Sequence, residues 1–126
     1  MAVRQIIVWR KDLNCRKGKI GAQCAHASMA VLLNTGTIQD GVFILPLKGH
    51  LEEWIKGLFT KIVVYVNSEE ELLAVYEKAG EAKLLRALIT DAGLTEFGGV
   101  PTRTCCAIGP ATPEELEPIT GALKLL

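Results

Sequence analysis

Two short runs, Ile6-Ile7-Val8-Trp9 and Ile62-Val63-Val64-Tyr65-Val66, most constrain the fold of this chain. A strand with one face in water alternates apolar and polar residues, and these runs do not alternate. They read as strands buried on both faces, at Val3 to Trp9 and Lys61 to Val66, and such strands need cover above and below. The chain supplies the cover. After the first strand comes a basic loop, then a run of small apolar residues that predicts a helix to about Leu33, stopped at Asn34-Thr35-Gly36 with Gly as terminator. After the second strand, Ser68 and Glu71 have capping-box spacing, followed by Leu72, Leu73, Tyr76 and Ala79 at helical intervals. Arg86 to Thr90 is a third strand ending at Asp91, and Thr104 to Ile108 a fourth, closed by Gly109-Pro110. Thr112-Pro113-Glu114-Glu115 is a second capping box with Pro at the first helical position; Pro118 predicts a short or kinked last helix. Residues 35–60 yield only an apolar run, Val42 to Leu45 before Pro46, and a short helix around Leu51 to Gly57.

This order is that of an α/β fold with helices on both faces of a small sheet. No helix joins the third and fourth strands, which makes them antiparallel neighbours and the sheet mixed. In such sheets ligands bind beyond the carboxyl ends of the parallel strands. The loop after the first strand leads to Lys19 and the third strand ends at Asp91, so both fall on one predicted edge.

At 126 residues the chain suits one domain spanning 1–126, and 49% hydrophobic with 22% charged residues is a globular composition. Formal net charge is zero, yet Arg4, Arg10, Lys11, Arg16, Lys17 and Lys19 face only Asp12 in the first twenty residues. A basic corner on a neutral protein can bind an anion locally. Cys15, Cys24, Cys105 and Cys106 form no C-x-x-C pair, and strand neighbours point to opposite faces. They read as packing residues of a reduced, cytoplasmic protein rather than a disulfide framework or zinc site. No signal-peptide or membrane-spanning run is present in the sequence.

The first helix carries a polar stripe that packing does not require. Lys19, Gln23 and His26 fall on one face at a period of 3.6. Arg16, Lys17 and Lys19 crowd a helix start, where the macrodipole disfavours cations and favours phosphate. The second group is Asp91-Ala92-Gly93-Leu94-Thr95, with Thr102 and Thr104 beyond it. Asp-x-Gly after a strand is by itself a turn signal. Beside a lysine, however, a carboxylate and hydroxyls can orient a water and stabilise an oxyanion. Plainer readings stand beside these: His26 as a hydrogen-bonded, half-buried histidine, Gln23 as a cap on a backbone group, Lys17 as a solvated charge, and the threonines as ordinary turn and strand residues. His50, Trp54, Trp9 and Lys61 read as fold elements.

Taken together, Lys17-Gly18-Lys19-Ile20-Gly21-Ala22-Gln23-Cys24-Ala25-His26-Ala27, Leu88-Ile89-Thr90-Asp91-Ala92-Gly93-Leu94-Thr95, Ala107-Ile108-Gly109-Pro110 and Thr120-Gly121-Ala122-Leu123-Lys124-Leu125-Leu126 resemble the type II peptidyl-tRNA hydrolases in order and spacing. The resemblance implies a three-layer α/β/α fold with a four-stranded mixed sheet, a cytoplasmic homodimer, and no metal or other cofactor. It implies hydrolysis of the ester joining a peptide to the 3′ end of tRNA. Its catalytic candidates map onto Lys19, Asp91, Thr95 and Thr104, with Lys17, Gln23 and His26 nearby; with the basic helix start and the strand threonine added, Arg16, Lys17, Gln23, His26 and Thr102 are the expected substrate contacts. In a water-attack scheme, Asp91 orients or deprotonates the water, Lys19 offsets developing negative charge, and the threonine hydroxyls position the ester.

The chain departs from the family pattern at Gly21, Thr90, Leu94 and Glu96, where members usually carry Ala, Arg, Arg and Gln, and its Phe97 to Arg103 loop is one residue longer. Those changes make the edge less attractive to phosphate. They keep open a non-catalytic member that binds a phosphorylated ligand, RNA or a protein partner, and a deacylase acting on another acyl-tRNA ester.

Overall fold

The computed structural model describes residues 2–94 and 96–126. Strand β1 (Arg4–Arg10) leads through a 3₁₀ turn (Lys11–Leu13) into helix α1 (Lys17–Thr35). Next come β2 (Thr37–Gln39), β3 (Val42–Ile44) and helix α2 (Gly49–Lys56). The chain continues with β4 (Lys61–Val66), α3 (Glu69–Glu81), β5 (Arg86–Asp91), β6 (Thr102–Ala111) and α4 (Pro113–Thr120). Among the described residues no helix is long and apolar enough to cross a membrane.

The main sheet has the order β4-β1-β6-β5. β1 and β4 are parallel, with Ile6 opposite Ile62 and Val8 opposite Val64. β6 is antiparallel to both its neighbours, pairing Val8 with Cys106 on one side and Leu88 with Cys106 on the other. β1, β4 and β5 therefore all point the same way. Their carboxyl ends and the start of β6 share one edge, as the sequence predicts.

Both faces are covered, which explains the unalternating strands. Ile7, Trp9, Ala87, Ile89, Cys105 and Ala107 pack against Cys24, Ala27 and Val31 of α1. Ile6, Val8, Val64, Cys106 and Ile108 pack against Leu72 and Val75 of α3 and Leu116 of α4. Cys105 and Cys106 do point to opposite faces. The free edge of β4 is closed by the C-terminal tail: the Tyr65 amide donates to the Lys124 carbonyl at 3.1 Å and the Leu126 amide to that of Val63 at 3.1 Å. An otherwise exposed edge strand is blunted in this way.

Two elements differ from the sequence-based expectation. β6 starts at Thr102 and runs through Gly109-Pro110 to Ala111 instead of stopping before them. Pro cannot donate to a ladder, and it is accommodated where the β1–β6 register shifts between Arg4 and Ile6. Within 35–60, β2 and β3 form an antiparallel hairpin around Asp40-Gly41, both at positive φ (53° and 76°). Asp-Gly between two β-prone triplets is a strong hairpin signal, because a two-residue turn of this hand needs left-handed residues. The short helix expected near Leu51 is α2. Its Trp54 is 1% exposed, packs with Val3 and Leu51, and donates its indole N–H to the Thr60 carbonyl at 2.8 Å. Truncating such a tryptophan costs about 3–5 kcal/mol, so Trp54 anchors the whole connection.

Both predicted helix caps form. The Thr112 hydroxyl accepts from the Glu115 amide while Glu115 accepts from the Thr112 amide. At α3 the Ser68 hydroxyl accepts from the Glu71 amide, but the return bond comes from the amide of Asn67 at 3.3 Å.

Candidate active site

α1 starts where the chain leaves the carboxyl edge of the sheet. Arg16 is its extended N-cap residue and makes no side-chain capping bond, and the first turn contains no acid. The first amides of a helix have no intrahelical acceptor, so this end is electropositive. The acid comes instead from the end of β5. Lys19 Nζ lies 2.9 Å from Asp91 Oδ1, and the two side chains are each 14% exposed. One turn on, Gln23 Nε2 donates to the same oxygen at 3.2 Å. The Gly93 amide donates to Asp91 Oδ2 at 2.9 Å. The Asp-x-Gly turn and the charged site are therefore one structure, in which the carboxylate closes its own turn and also meets α1.

Gln23 links this carboxylate to β6. Its Oε1 accepts from the Thr104 hydroxyl at 2.6 Å, and its main-chain carbonyl accepts from the Cys105 thiol at 3.3 Å. Thr104 has no exposed surface. It fixes which way the Gln23 amide faces, and so aims Nε2 at Asp91. Lys19, the Gly93 amide and the Gln23 amide together hold the Asp91 carboxyl below its ordinary value of 3.8, with Lys19 the largest cause and burial opposing.

The loop after β5 completes the rim. Glu96 Oε1 lies 3.8 Å from Arg16 Nε, and the Phe97 ring centroid lies 5.6 Å from Lys19 Nζ. The Cys15 thiol is pushed up to about 11, first by burial and then by the neighbouring Glu96 and Asp91 carboxylates, with Lys19 opposing. At neutral pH it is a protonated thiol, which removes it as a thiolate nucleophile.

Lys19, Gln23, Asp91 and Thr104 thus converge as the sequence predicts. Arg16 and Lys17 are exposed at the start of α1. Thr102 pairs with Asp91 across the β5–β6 ladder but turns its hydroxyl to the Val100 carbonyl, 2.9 Å away. Thr95 lies outside the described residues. His26 is neither half-buried nor part of the cluster; it is exposed. Seven residues of helix separate it from Lys19 by roughly 10 Å along the axis, which carries it away from the carboxyl edge where the cluster sits. The Gly93 amide and the Cys105 thiol join the network without having been candidates. The amide is foreshadowed by the Asp-x-Gly turn, whereas nothing in the sequence pattern marks the thiol.

Residues 3–126 match the family described as Peptidyl-tRNA hydrolase PTH2. The chain belongs to this family. A peptidyl-tRNA hydrolase of Sulfurisphaera tokodaii is 43% identical over 126 residues, covering all of both chains. One from Methanothermobacter thermautotrophicus is 38% identical over 124 residues, covering 98% of this chain and all of the relative. Among solved structures, a protein of unknown function (Atu0240) from Agrobacterium tumefaciens C58 superposes with a TM-score of 0.62, covering 100% of this chain and 98% of that one. At 12% identity that likeness concerns the fold alone. Within the family pattern, the departures at 90, 94 and 96 all lie at the rim. Thr90 is exposed, Leu94 is 86% exposed, and Glu96 is the partner of Arg16.

Proposed function

We propose that this chain is a cytoplasmic peptidyl-tRNA hydrolase that cleaves the ester between a peptide and the 3′ end of tRNA by water attack, with Lys19 and Asp91 at the reacting centre. One observation carries the assignment of residues. A carboxylate held ionised by an ammonium, a side-chain amide and a backbone amide sits at the edge where ligands of such sheets bind. A carboxyl with a lowered pKa is a weak base but a firm acceptor. Asp91 therefore serves to orient the attacking water more than to strip its proton. The Lys19 ammonium offsets the charge that grows on the ester oxygen, a contribution of about 2–4 kcal/mol for a well-placed donor. Thr104 is buried and bonded to Gln23, so it acts as a positioning residue, holding Gln23 and through it Asp91. Arg16 and Lys17 receive tRNA phosphates, which makes binding fall steeply with salt.

The test is hydrolysis of N-acetyl-aminoacyl-tRNA beside the unblocked aminoacyl-tRNA. Catalytic release from the blocked substrate alone is the expected result. Release from neither, with RNA still bound, would replace the enzyme by a binding module.

The active unit is proposed to be a homodimer. Ile38, Val42 and Phe43 are 79%, 57% and 41% exposed on the β2–β3 hairpin, an apolar group that burial between copies would remove from water. Sedimentation equilibrium showing a monomer at micromolar concentration would end this part of the proposal.

A further inference from the structure

Two cations of the site already have carboxylate partners, and the two pairs are built differently. Lys19 and Asp91 are matched, each 14% exposed and 2.9 Å apart. Arg16 and Glu96 are unequal, with the arginine 90% exposed and the glutamate only 20%, at 3.8 Å. Glu96 is the anchored member. It lies close enough to the half-buried Cys15 thiol to help push that thiol's pKa up. Arg16 reaches back to it from solvent. The cations Arg16, Lys17 and Lys19 thus face the carboxylates of Asp91 and Glu96, leaving one net positive charge at a helix start that has no acid of its own. A phosphodiester offers an arginine two oxygens in a planar, fork-matched geometry, better than one carboxylate oxygen at the far limit of an ion pair.

We propose that Glu96 is an internal competitor for substrate phosphate. Its carboxylate holds Arg16 in the free protein and releases the guanidinium when a phosphate of the tRNA acceptor end arrives. Glu96 is then an affinity-determining residue and not a catalytic one, since it lies against Arg16 rather than the Lys19–Asp91 pair. Its effect falls on binding. A ligand must bring enough negative charge to displace it, which favours a polyanionic RNA end over a free amino-acid ester. This inference rests on the tRNA-binding reading of the basic corner.

The experiment measures the dissociation constant of deacylated tRNA against salt, with KM and kcat for N-acetyl-aminoacyl-tRNA, in the wild type, Glu96→Gln, Glu96→Ala, Arg16→Ala and Arg16→Ala/Glu96→Gln. Exposed ion pairs of this kind are worth roughly a two- to fivefold change in affinity, so Glu96→Gln should tighten tRNA binding by that factor at low salt. KM should fall in proportion with kcat unmoved. The salt slope should steepen by about 0.7, one phosphate's worth, because a freed Glu96 no longer takes up a cation on binding. The gain should shrink in the Arg16→Ala background. Glu96→Ala guards against a folding artefact of the glutamine variant, and should shift affinity in the same direction. Unchanged or weaker tRNA binding in both Glu96 variants would overturn the proposal. So would an equal gain with and without Arg16, the signature of a general field effect. If the wild type binds no tRNA, the reading of the basic corner falls as well. If tRNA binds and the Glu96 variants do nothing, only this inference is lost.

Discussion

Replacing Asp91 by Asn keeps the size of the side chain and removes its charge and one acceptor. Among the described residues three donors converge on the two carboxylate oxygens: Lys19 Nζ at 2.9 Å and Gln23 Nε2 at 3.2 Å on one, the Gly93 amide at 2.9 Å on the other. An amide offers a single acceptor, so whichever way Asn turns, its NH₂ faces a donor. The ammonium at 2.9 Å also loses its counter-charge. At an effective dielectric of 20 that attraction is about 6 kcal/mol in gross terms. With both side chains 14% exposed, water replaces most of it, and a net stability loss of about 1–3 kcal/mol remains. For a domain of this size that lowers Tm by roughly 3–12 °C. The effect on turnover is larger. Loss of the group that orients the attacking water should lower kcat about 10²- to 10⁴-fold. Binding should move the other way, because a negative charge leaves the site, so KM should fall. Single-turnover release from N-acetyl-aminoacyl-tRNA, followed well below the variant's Tm, separates the two effects. A folded Asp91→Asn protein with kcat within about tenfold of wild type would refute the role of Asp91.

Gln23→Leu removes the bridge between Asp91 and Thr104 and leaves the Thr104 hydroxyl buried without its acceptor, so kcat should drop about 10- to 100-fold with a stability loss of about 1–3 kcal/mol; a folded variant of full activity would remove Gln23 from the network. Gly93 has φ +82°, and a Cβ there would run into the Val100 carbonyl. Gly93→Ala should therefore displace the amide that holds Asp91 and reduce kcat more than it raises KM, and a change confined to KM would contradict this. The folded-state pKa values of Asp91 and Glu115 both lie below their ordinary 3.8 and 4.5, the first mainly through Lys19 and the second mainly through the Thr112 amide. Their contribution to stability is full above those ordinary values and is lost as pH falls through the lower folded values. Tm should hold from neutrality toward mild acid and then decline, less steeply in Glu115→Gln; a Tm that rises on acidification would reverse the sign.

The parts of the fold that were legible in the sequence are those where local chemistry and global packing agree. β4 spans Lys61–Val66 as predicted, because its apolar run is bounded by a lysine and by Asn67-Ser68, and Ser68 and Thr112 each cap the helix they announce. The site was legible for the converse reason: Lys19 and Gln23 are polar where packing asks for nothing polar. Periodicity fixes a face but not a depth along the axis, so it grouped His26 with Lys19, roughly two turns away from it. The hairpin at Asp40-Gly41 was legible in principle from its turn residues, but its strands are only three residues long and exposed, without the burial pattern that makes β1 and β4 conspicuous. The Arg16–Glu96 contact joins segments eighty positions apart through a loop with no period of its own, and only the fold brings them together.

The most direct test of the account is a double-mutant cycle on Lys19 and Asp91, read as the single-turnover rate of peptide release from N-acetyl-aminoacyl-tRNA. If the ammonium and the carboxylate act as one unit on the ester, Lys19→Ala and Asp91→Asn should each slow release by about a hundredfold or more, and the double variant should be little slower than the worse single. Losses that multiply in full, or a Lys19→Ala protein that releases peptide at the wild-type rate, would contradict it.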